Sequence, residues 1–271
     1  MKHVVMYSGG IGSWAAAKRV AQEYGTDDLI LLFTDTKCED EDLYRFLEEG
    51  AKNIGGQLVW LEEGRDIWEV FKAVKYLGNT RVDPCSRILK RELSRKWIEE
   101  NFQPDEAILY VGIDYTEYHR YSKNQMFWQP YTVKAPMCEQ PYMDKRDMMR
   151  WLGQEGIKAP RLYELGFSHN NCGGFCVKAG QAQFYTLLKT MPERYAYHEQ
   201  KEQELFEYLG KKVPFLRQTR NGKTVYVSLK DFREQIAEAE QNQRDIGEQI
   251  DMFDFGGCGC FSDFEEVACV I

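Results

Sequence analysis

Residues 3–20, HVVMYSGGIGSWAAAKRV, carry the reading that decides the fold. An apolar run, His3 to Met6, enters a glycine turn, Ser8-Gly9-Gly10-Ile11-Gly12-Ser13, and leaves it as a helix-forming stretch, Trp14 to Val20. A strand that passes through glycines straight into a helix makes an anion site. The glycines let the backbone approach a phosphate, the N–H groups of the first turn point at it, and the helix dipole favours its charge. Ser8 and Ser13 add hydroxyl donors. By itself the turn is also an ordinary tight strand–helix connection, so the rest of the chain has to choose.

Working outward, Leu29 to Phe33 is five apolar residues bounded by Asp28 and Asp35, too short for a helix and suited to a buried parallel strand. The pattern then predicts a helix over 40–54, a strand over 57–61, helices over 67–74 and 86–100, and a strand over 107–111 ending at Gly112. Strands alternating with helices imply an α/β fold, a doubly wound and mostly parallel sheet of Rossmann-like type. Such sheets bind ligands at the carboxyl ends of their strands, here the turns after Tyr7, Phe33 and Val111. After Pro141 the pattern changes. A helix over 144–153 is followed by a loop-rich stretch over 155–176, helices over 179–188 and 195–209, a short strand over 225–227, a polar helix over 229–249 and a glycine- and cysteine-rich end. The expected division is a nucleotide-binding domain over 1–165 and a smaller, loop-rich helical region with cysteines over 166–271.

The chain has 271 residues, 43% of them hydrophobic, enough for a substantial core. A net charge of -8 gives no overall electrostatic footprint for nucleic acid. Two local basic runs, Arg87 to Lys96 and Lys211 to Lys223, read as a solvated helix face and a solvated turn. No apolar run is long enough to span a bilayer, so no membrane role is expected. No export signal is read at the N-terminus, and the eight cysteines are therefore expected to be reduced thiols of a cytoplasmic protein, some with metal or redox roles.

The glycine turn fits two patterns. Gly10-Ile11-Gly12-Ser13-Trp14-Ala15 matches a relaxed dinucleotide fingerprint, with Asp35 near the distance of a ribose contact. Ser8 to Ser13 also matches the PP-loop, S-G-G-x-x-S. Segments further along favour the PP-loop. Five of them, Tyr7–Ser13 (YSGGIGS), Phe33–Glu39 (FTDTKCE), Cys85–Lys90 (CSRILK), Gly112–Arg120 (GIDYTEYHR) and Pro141–Cys176, run in one order. In that order the chain resembles the phosphoadenosine phosphosulfate (PAPS) reductase branch of the PP-loop, or adenine-nucleotide α-hydrolase, superfamily.

The resemblance implies a HUP-type fold and an adenine nucleotide, ATP, held by Ser8, Gly9, Gly10, Gly12 and Ser13. It implies Asp35 and Thr36 at the adenosine, and Gly112, Asp114 and Arg120 along the pocket. Arg87 and Lys90 would meet a phosphate or an anionic substrate, and Asp114, Arg87, Lys90 and Arg120 are the catalytic candidates. Many ATP-using relatives carry an acidic residue before the last serine of the loop; here it is Gly12, which leaves Mg²⁺ an open companion ion. The Glu-Cys-Gly-x-His tail of PAPS reductases is absent, and the chain ends with Gly256-Gly257-Cys258-Gly259-Cys260-Phe261.

Cys85, Cys172, Cys176, Cys258 and Cys260 lie in turn context beside Gly, Pro or Asn. They are the metal candidates, while Cys38, Cys138 and Cys269 read as core cysteines. Two ligand sets are open. Cys172, Cys176, Cys258 and Cys260 form a zinc site, or Cys85, Cys172, Cys176 and one tail cysteine hold a [4Fe-4S] cluster. Cluster-bearing, sulfur-transferring PP-loop enzymes favour the second. The expected activity is adenylation of a substrate for sulfur transfer, with a nucleobase or nucleic acid as acceptor. The alternatives are a reductase of adenylyl-sulfate or PAPS type, and a nucleotide-sensing module with structural zinc. Oligomeric state is not readable.

Overall fold

The computed structural model describes residues 1–78, 82–220 and 222–256. Cys258, Cys260 and Cys269 lie outside the described residues.

Five parallel strands form the central sheet: β1 (Lys2–Met6), β2 (Leu29–Asp35), β3 (Gln57–Glu62), β4 (Ala107–Tyr110) and β5 (Thr132–Lys134), in the order β3-β2-β1-β4-β5. In register, Val4 lies opposite Ile30 on one side and Leu109 on the other. The chain steps outward from β1 to β3, then returns to the other side of β1 for β4 and β5. The strand order therefore reverses between β1 and β4, and this switch point opens a crevice at the carboxyl ends.

Helices cover both faces, as the doubly wound reading requires. α1 (Ile11–Tyr24), α2 (Glu41–Ile54) and α7 (Lys145–Gln154) pack Trp14, Phe46 and Leu152 on the face of Val5, Leu31 and Phe33. The opposite face, Val4, Met6, Leu32 and Leu109, is covered by Ile98, Trp128 and Tyr131. Adjacent strand residues thus alternate between two cores, which is why Leu29 to Phe33 of β2 is a continuous apolar run. Trp128 and Tyr131 are packing residues, as is the buried Tyr195.

α3 (Ile67–Val74) is followed by a helical run in three parts: α4 (Pro84–Ser86), a π-helical stretch over Arg87–Glu92, and α5 (Leu93–Asn101). The π stretch corrects the expectation of a solvated basic face. It turns Lys90 and Arg91 inward, where they are 2% and 6% exposed. There Lys90 pairs with Glu39 at 3.3 Å and Arg91 with Asp83 at 2.9 Å. Single-turn π segments often accompany functional sites.

α6 (His119–Phe127) and β5 follow β4. Neither was expected, because β5 has only three residues and α6 has little apolar periodicity. Beyond α7 come α8 (Arg161–Glu164), α9 (Gln181–Thr190), α10 (Pro192–Leu209), an antiparallel hairpin of β6 (Leu216–Arg220) and β7 (Lys223–Val227), α11 (Leu229–Gln241) and α12 (Ile246–Gln249). The polar helix expected over 229–249 is broken at Asn242-Gln243, where Gln243 takes a φ of 53°. A third core joins Trp68 and Phe71 of α3 to Phe184, Leu205, Phe215 and Phe232. No helix among the described residues is long and apolar enough to cross a membrane.

Candidate functional site

The glycine loop lies at the switch point. Gly9 has a φ of 76°, and a Cβ there would stand 2.9 Å from Leu43, so only glycine suits the turn. Gly12 and Gly112, from the loops after β1 and β4, touch across the crevice. A Cβ on Gly12 would meet the Gly112 carbonyl at 2.6 Å, and one on Gly112 would meet the Ser13 nitrogen at 2.5 Å. This close approach gives a packing reason for Gly12 where relatives carry an acid: a side chain there would force the two loops apart. Ser13 Oγ donates to the Gly10 carbonyl at 2.8 Å, and Ser8 Oγ to Ser13 Oγ at 3.4 Å.

Above the loop is a pocket of about 560 Å³, within the range of small-molecule sites. Of the residues singled out from sequence, Ser8, Gly10, Gly12, Ser13, Gly112, Asp114 and Arg120 line it. Its far wall is the segment 168–171, held over the loop by Asn170 Nδ2, which donates to the Gly9 carbonyl at 2.8 Å. Ser168 Oγ and Asn170 Oδ1 in this wall, and Asn124 Oδ1 of another lining residue, are buried without a hydrogen-bond partner among the described residues. Buried polar atoms are nearly always satisfied, so three orphans in one pocket mark where a ligand or ordered water belongs. Asp114 caps the turn after β4, accepting from Thr116 N at 2.8 Å and Thr116 Oγ1 at 2.6 Å. Arg120 pairs with Glu117.

Sequence reasoning missed Asn124, Lys145, Tyr163, Ser168 and Asn170. Tyr163 OH accepts from Ile11 N, at the start of α1, at 3.2 Å. Lys145 Nζ donates to the Ser168 carbonyl and lies 4.2 Å from the Tyr163 ring centroid. Burial draws the Lys145 ammonium down to about 8, against the pull of Glu117 and Asp114. Four of them fall inside the Pro141–Cys176 segment, but the sequence attaches no role to them; their meeting in one pocket does.

The other singled-out residues lie elsewhere. Asp35 accepts from Lys37 N at 2.8 Å and from Tyr44 OH at 3.0 Å, and does not line the pocket. Arg87 is exposed and paired with Glu92 at 2.6 Å. Thr36 and Lys90 line a second cavity instead, with room for about 20 Å³.

That second cavity brings together Cys85, Cys172 and Cys176, with Asp83, Lys90 and Lys178 beside them and Ile67, Phe175 and Val177 as apolar wall. Lys178 is 3.9 Å from Asp83. Glu39 organises one side, taking hydrogen bonds from Thr36 Oγ1 at 3.0 Å, from Lys90 Nζ and from Cys172 N. Cys172 has a φ of 51°, followed by Gly173 at 55° and Gly174 at 83°. A left-handed cysteine costs about 1–2 kcal/mol, a strain that clusters at functional sites. Phe175 stacks on buried His198 at 3.9 Å and anchors the turn. Cys138 is half-buried elsewhere, and Cys38 lies beside this cavity without lining it, against Gly173 and Ile67; burial pushes the Cys38 and Cys138 thiols up to about 12 and about 11. Among the described residues no three His, Cys, Asp or Glu side chains converge closely enough to hold a metal ion.

A model of the phosphoadenosine phosphosulfate reductase domain matches residues 2–175. An uncharacterized protein of Methanocaldococcus jannaschii, MJ0066, is 28% identical over 213 residues, 77% of this chain. The match covers 42% of that relative, so the chain spans less than half its length. Among solved structures, the PAPS reductase of Candida auris in its phosphate complex overlays with a TM-score of 0.43 at 13% identity, covering 62% of this chain and 80% of that one. The NH3-dependent NAD synthetase of Campylobacter jejuni overlays at 0.39 and 10%, covering 77% and 83%. The assignment rests on the family model, not on these distant overlays. More than half of the sequence, including the glycine loop, the switch-point strands and the loop that reaches Cys172, falls within that match, and the chain belongs to the phosphoadenosine phosphosulfate reductase domain family.

Proposed function

We propose that the chain is an ATP-dependent PP-loop enzyme that adenylates a substrate oxygen so that sulfur can replace it. The observation that carries this reading is a shared wall. Residues 168–171 line the loop pocket, while Cys172 and Cys176, a few residues on, line the cavity of Cys85. Nucleotide chemistry and thiol chemistry are therefore separated by one short segment.

In the pocket, the first-turn amides of α1 hold the phosphate chain, and the charge growing on departing pyrophosphate is stabilised by those donors. A carbonyl or amide oxygen of the substrate attacks the α-phosphorus, and the bond to pyrophosphate breaks. A sulfur nucleophile from a separate donor then attacks the activated carbon, and the carbon–oxygen bond to AMP breaks. Met6, Val111 and Ile113 offer an apolar floor for adenine. Tyr115, Tyr118 and Tyr142 are exposed next to pocket-lining residues, and Tyr115 and Tyr142 lie 5.3 Å apart. They suit stacking of a flat acceptor, which favours a nucleobase, free or within a nucleic acid.

The cysteine cavity matches a thiolate-bound metal in kind. Its donors are soft, its wall is apolar, and Lys90, Lys178 and the nearby Arg91 outnumber the carboxylates Glu39 and Asp83 by one positive charge. The described residues alone do not close a ligand set. We assign Cys85, Cys172 and Cys176, with Cys258 or Cys260, to an iron–sulfur cluster, zinc being the alternative. When bound, a cluster supplies an iron centre for holding sulfur.

The decisive assay follows AMP and pyrophosphate release from ATP with base-containing acceptors, using anaerobically purified protein assayed for iron, sulfide and zinc. Failure to cleave the α–β bond with any acceptor in metal-replete protein would remove the adenylation reading. Full metal content in a Cys172→Ser, Cys176→Ser double variant would remove the cysteine assignment.

A further inference from the structure

We propose that Lys145 is the residue that receives the phosphate chain of the nucleotide, in place of a cation held by the glycine loop. This rests on the nucleotide reading of the pocket and adds to it a residue outside the loop.

Three cations line the pocket. Arg120 pairs with Glu117, and Arg146 is 3.9 Å from Asp144 with its side chain 92% exposed. Lys145 differs: among the described residues no carboxylate lies within 4.0 Å of it. Its half-buried ammonium donates to the Ser168 carbonyl and lies over the Tyr163 ring, while Glu117 and Asp114 attract it only from beyond ion-pair distance. Desolvating an ammonium without a counter-ion is costly, and an arriving anion removes much of that cost.

Position narrows the anion to phosphate. The Tyr163 ring under Lys145 carries the hydroxyl that accepts from Ile11 N, so the ammonium stands one side chain away from the amino end of α1. The loop itself has no carboxylate to hold a cation there, because Gly12 is pressed against Gly112. Lys145 is the first residue of α7, whose cap Asp144 and box partner Asp147 fix the backbone that presents it. The side chain is thus aimed by a rigid helix start rather than by a loop.

Calorimetry with ATP, pyrophosphate and adenosine on wild type, Lys145→Met and Lys145→Arg tests this. Lys145→Met is expected to lose about 10- to 100-fold in affinity for ATP and pyrophosphate, the weight of one charge-assisted contact. Adenosine affinity should hold, and Lys145→Arg should restore most of the loss. The ratio of wild-type to Lys145→Met affinity for pyrophosphate should fall as pH rises through about 8, because only the wild type loses that charge. Asp114, Glu117, Asp144, Arg120, Arg146, His169 and Tyr163 face the same space in both proteins and cancel in the ratio. Equal weakening of adenosine and pyrophosphate would make Lys145 a pin for Ser168 and overturn the proposal, as would unchanged pyrophosphate binding. A wild type that binds neither ATP nor pyrophosphate would take down the nucleotide reading, and this assignment with it.

Discussion

The two cavities that share residues 168–178 as a wall are built on opposite rules. The loop pocket has room for about 560 Å³ and leaves three buried oxygens, on Asn124, Ser168 and Asn170, without partners among the described residues. The cysteine cavity has room for about 20 Å³, and its cations are paired, Lys90 to Glu39 and both Arg91 and Lys178 to Asp83, which leaves one positive charge more than these carboxylates carry. A pocket with orphaned acceptors is prepared for something that arrives from solvent. A small cavity walled by ion pairs is part of the folded core, and a metal bound there, as proposed, would be installed together with the fold.

The contrast is broken most severely at Glu39. Glu39→Ala removes the acceptor for Thr36, Lys90 and Cys172 N and takes a buried carboxylate away from the buried Lys90 ammonium. We expect a loss of about 3–5 kcal/mol in denaturant unfolding. A loss under about 1 kcal/mol would show that this cavity opens and hydrates like the other one.

Glycine substitutions sharpen the contrast on the pocket side. A Cβ on Gly10 meets Tyr163 OH at 3.6 Å and Ser8 Oγ at 3.8 Å, ordinary contacts. Gly10→Val should therefore keep the fold and fill the pocket, lowering ATP affinity by at least about tenfold with an unchanged melting temperature. Gly12→Ala should lose both, with about 1–3 kcal/mol of stability, because its Cβ strikes the Gly112 backbone. Unchanged calorimetric affinity in Gly10→Val would place the nucleotide elsewhere.

The smallest effect is expected at Arg87, which lies in neither cavity. Arg87→Ala breaks only an exposed pair with Glu92 and should change stability by less than about 0.5 kcal/mol. Nucleotide affinity should not move. A tenfold loss of turnover would return Arg87 to the site, as the family resemblance suggests.

What could be read from sequence was whatever local pattern carries. β1 to β4 and the helices between them show as apolar runs of strand length alternating with helical periods, and the glycine turn shows as S-G-G-x-x-S. β5, α6 and β6 do not show, because three- to nine-residue elements with mixed polarity have no period to detect. The basic run after Cys85 was misread for a related reason. It has the composition of a solvated helix, and only the π stretch and the buried carboxylates Glu39 and Asp83 turn two of its charges inward.

By itself, then, the sequence determined the parallel α/β sheet, the phosphate-type loop and the reach of the family match, since each is written in residues close together along the chain. The tertiary structure decided which candidates share a site. It separated Asp35 and Arg87 from the loop pocket, put Thr36 and Lys90 with the cysteines, and brought Lys145, Asn124 and Asn170 over the glycines. The physical reason is that convergence is a non-local property. Residues 9 and 170, or 85 and 172, meet only because the sheet order reverses beside β1 and packing folds the 168–178 segment across that reversal.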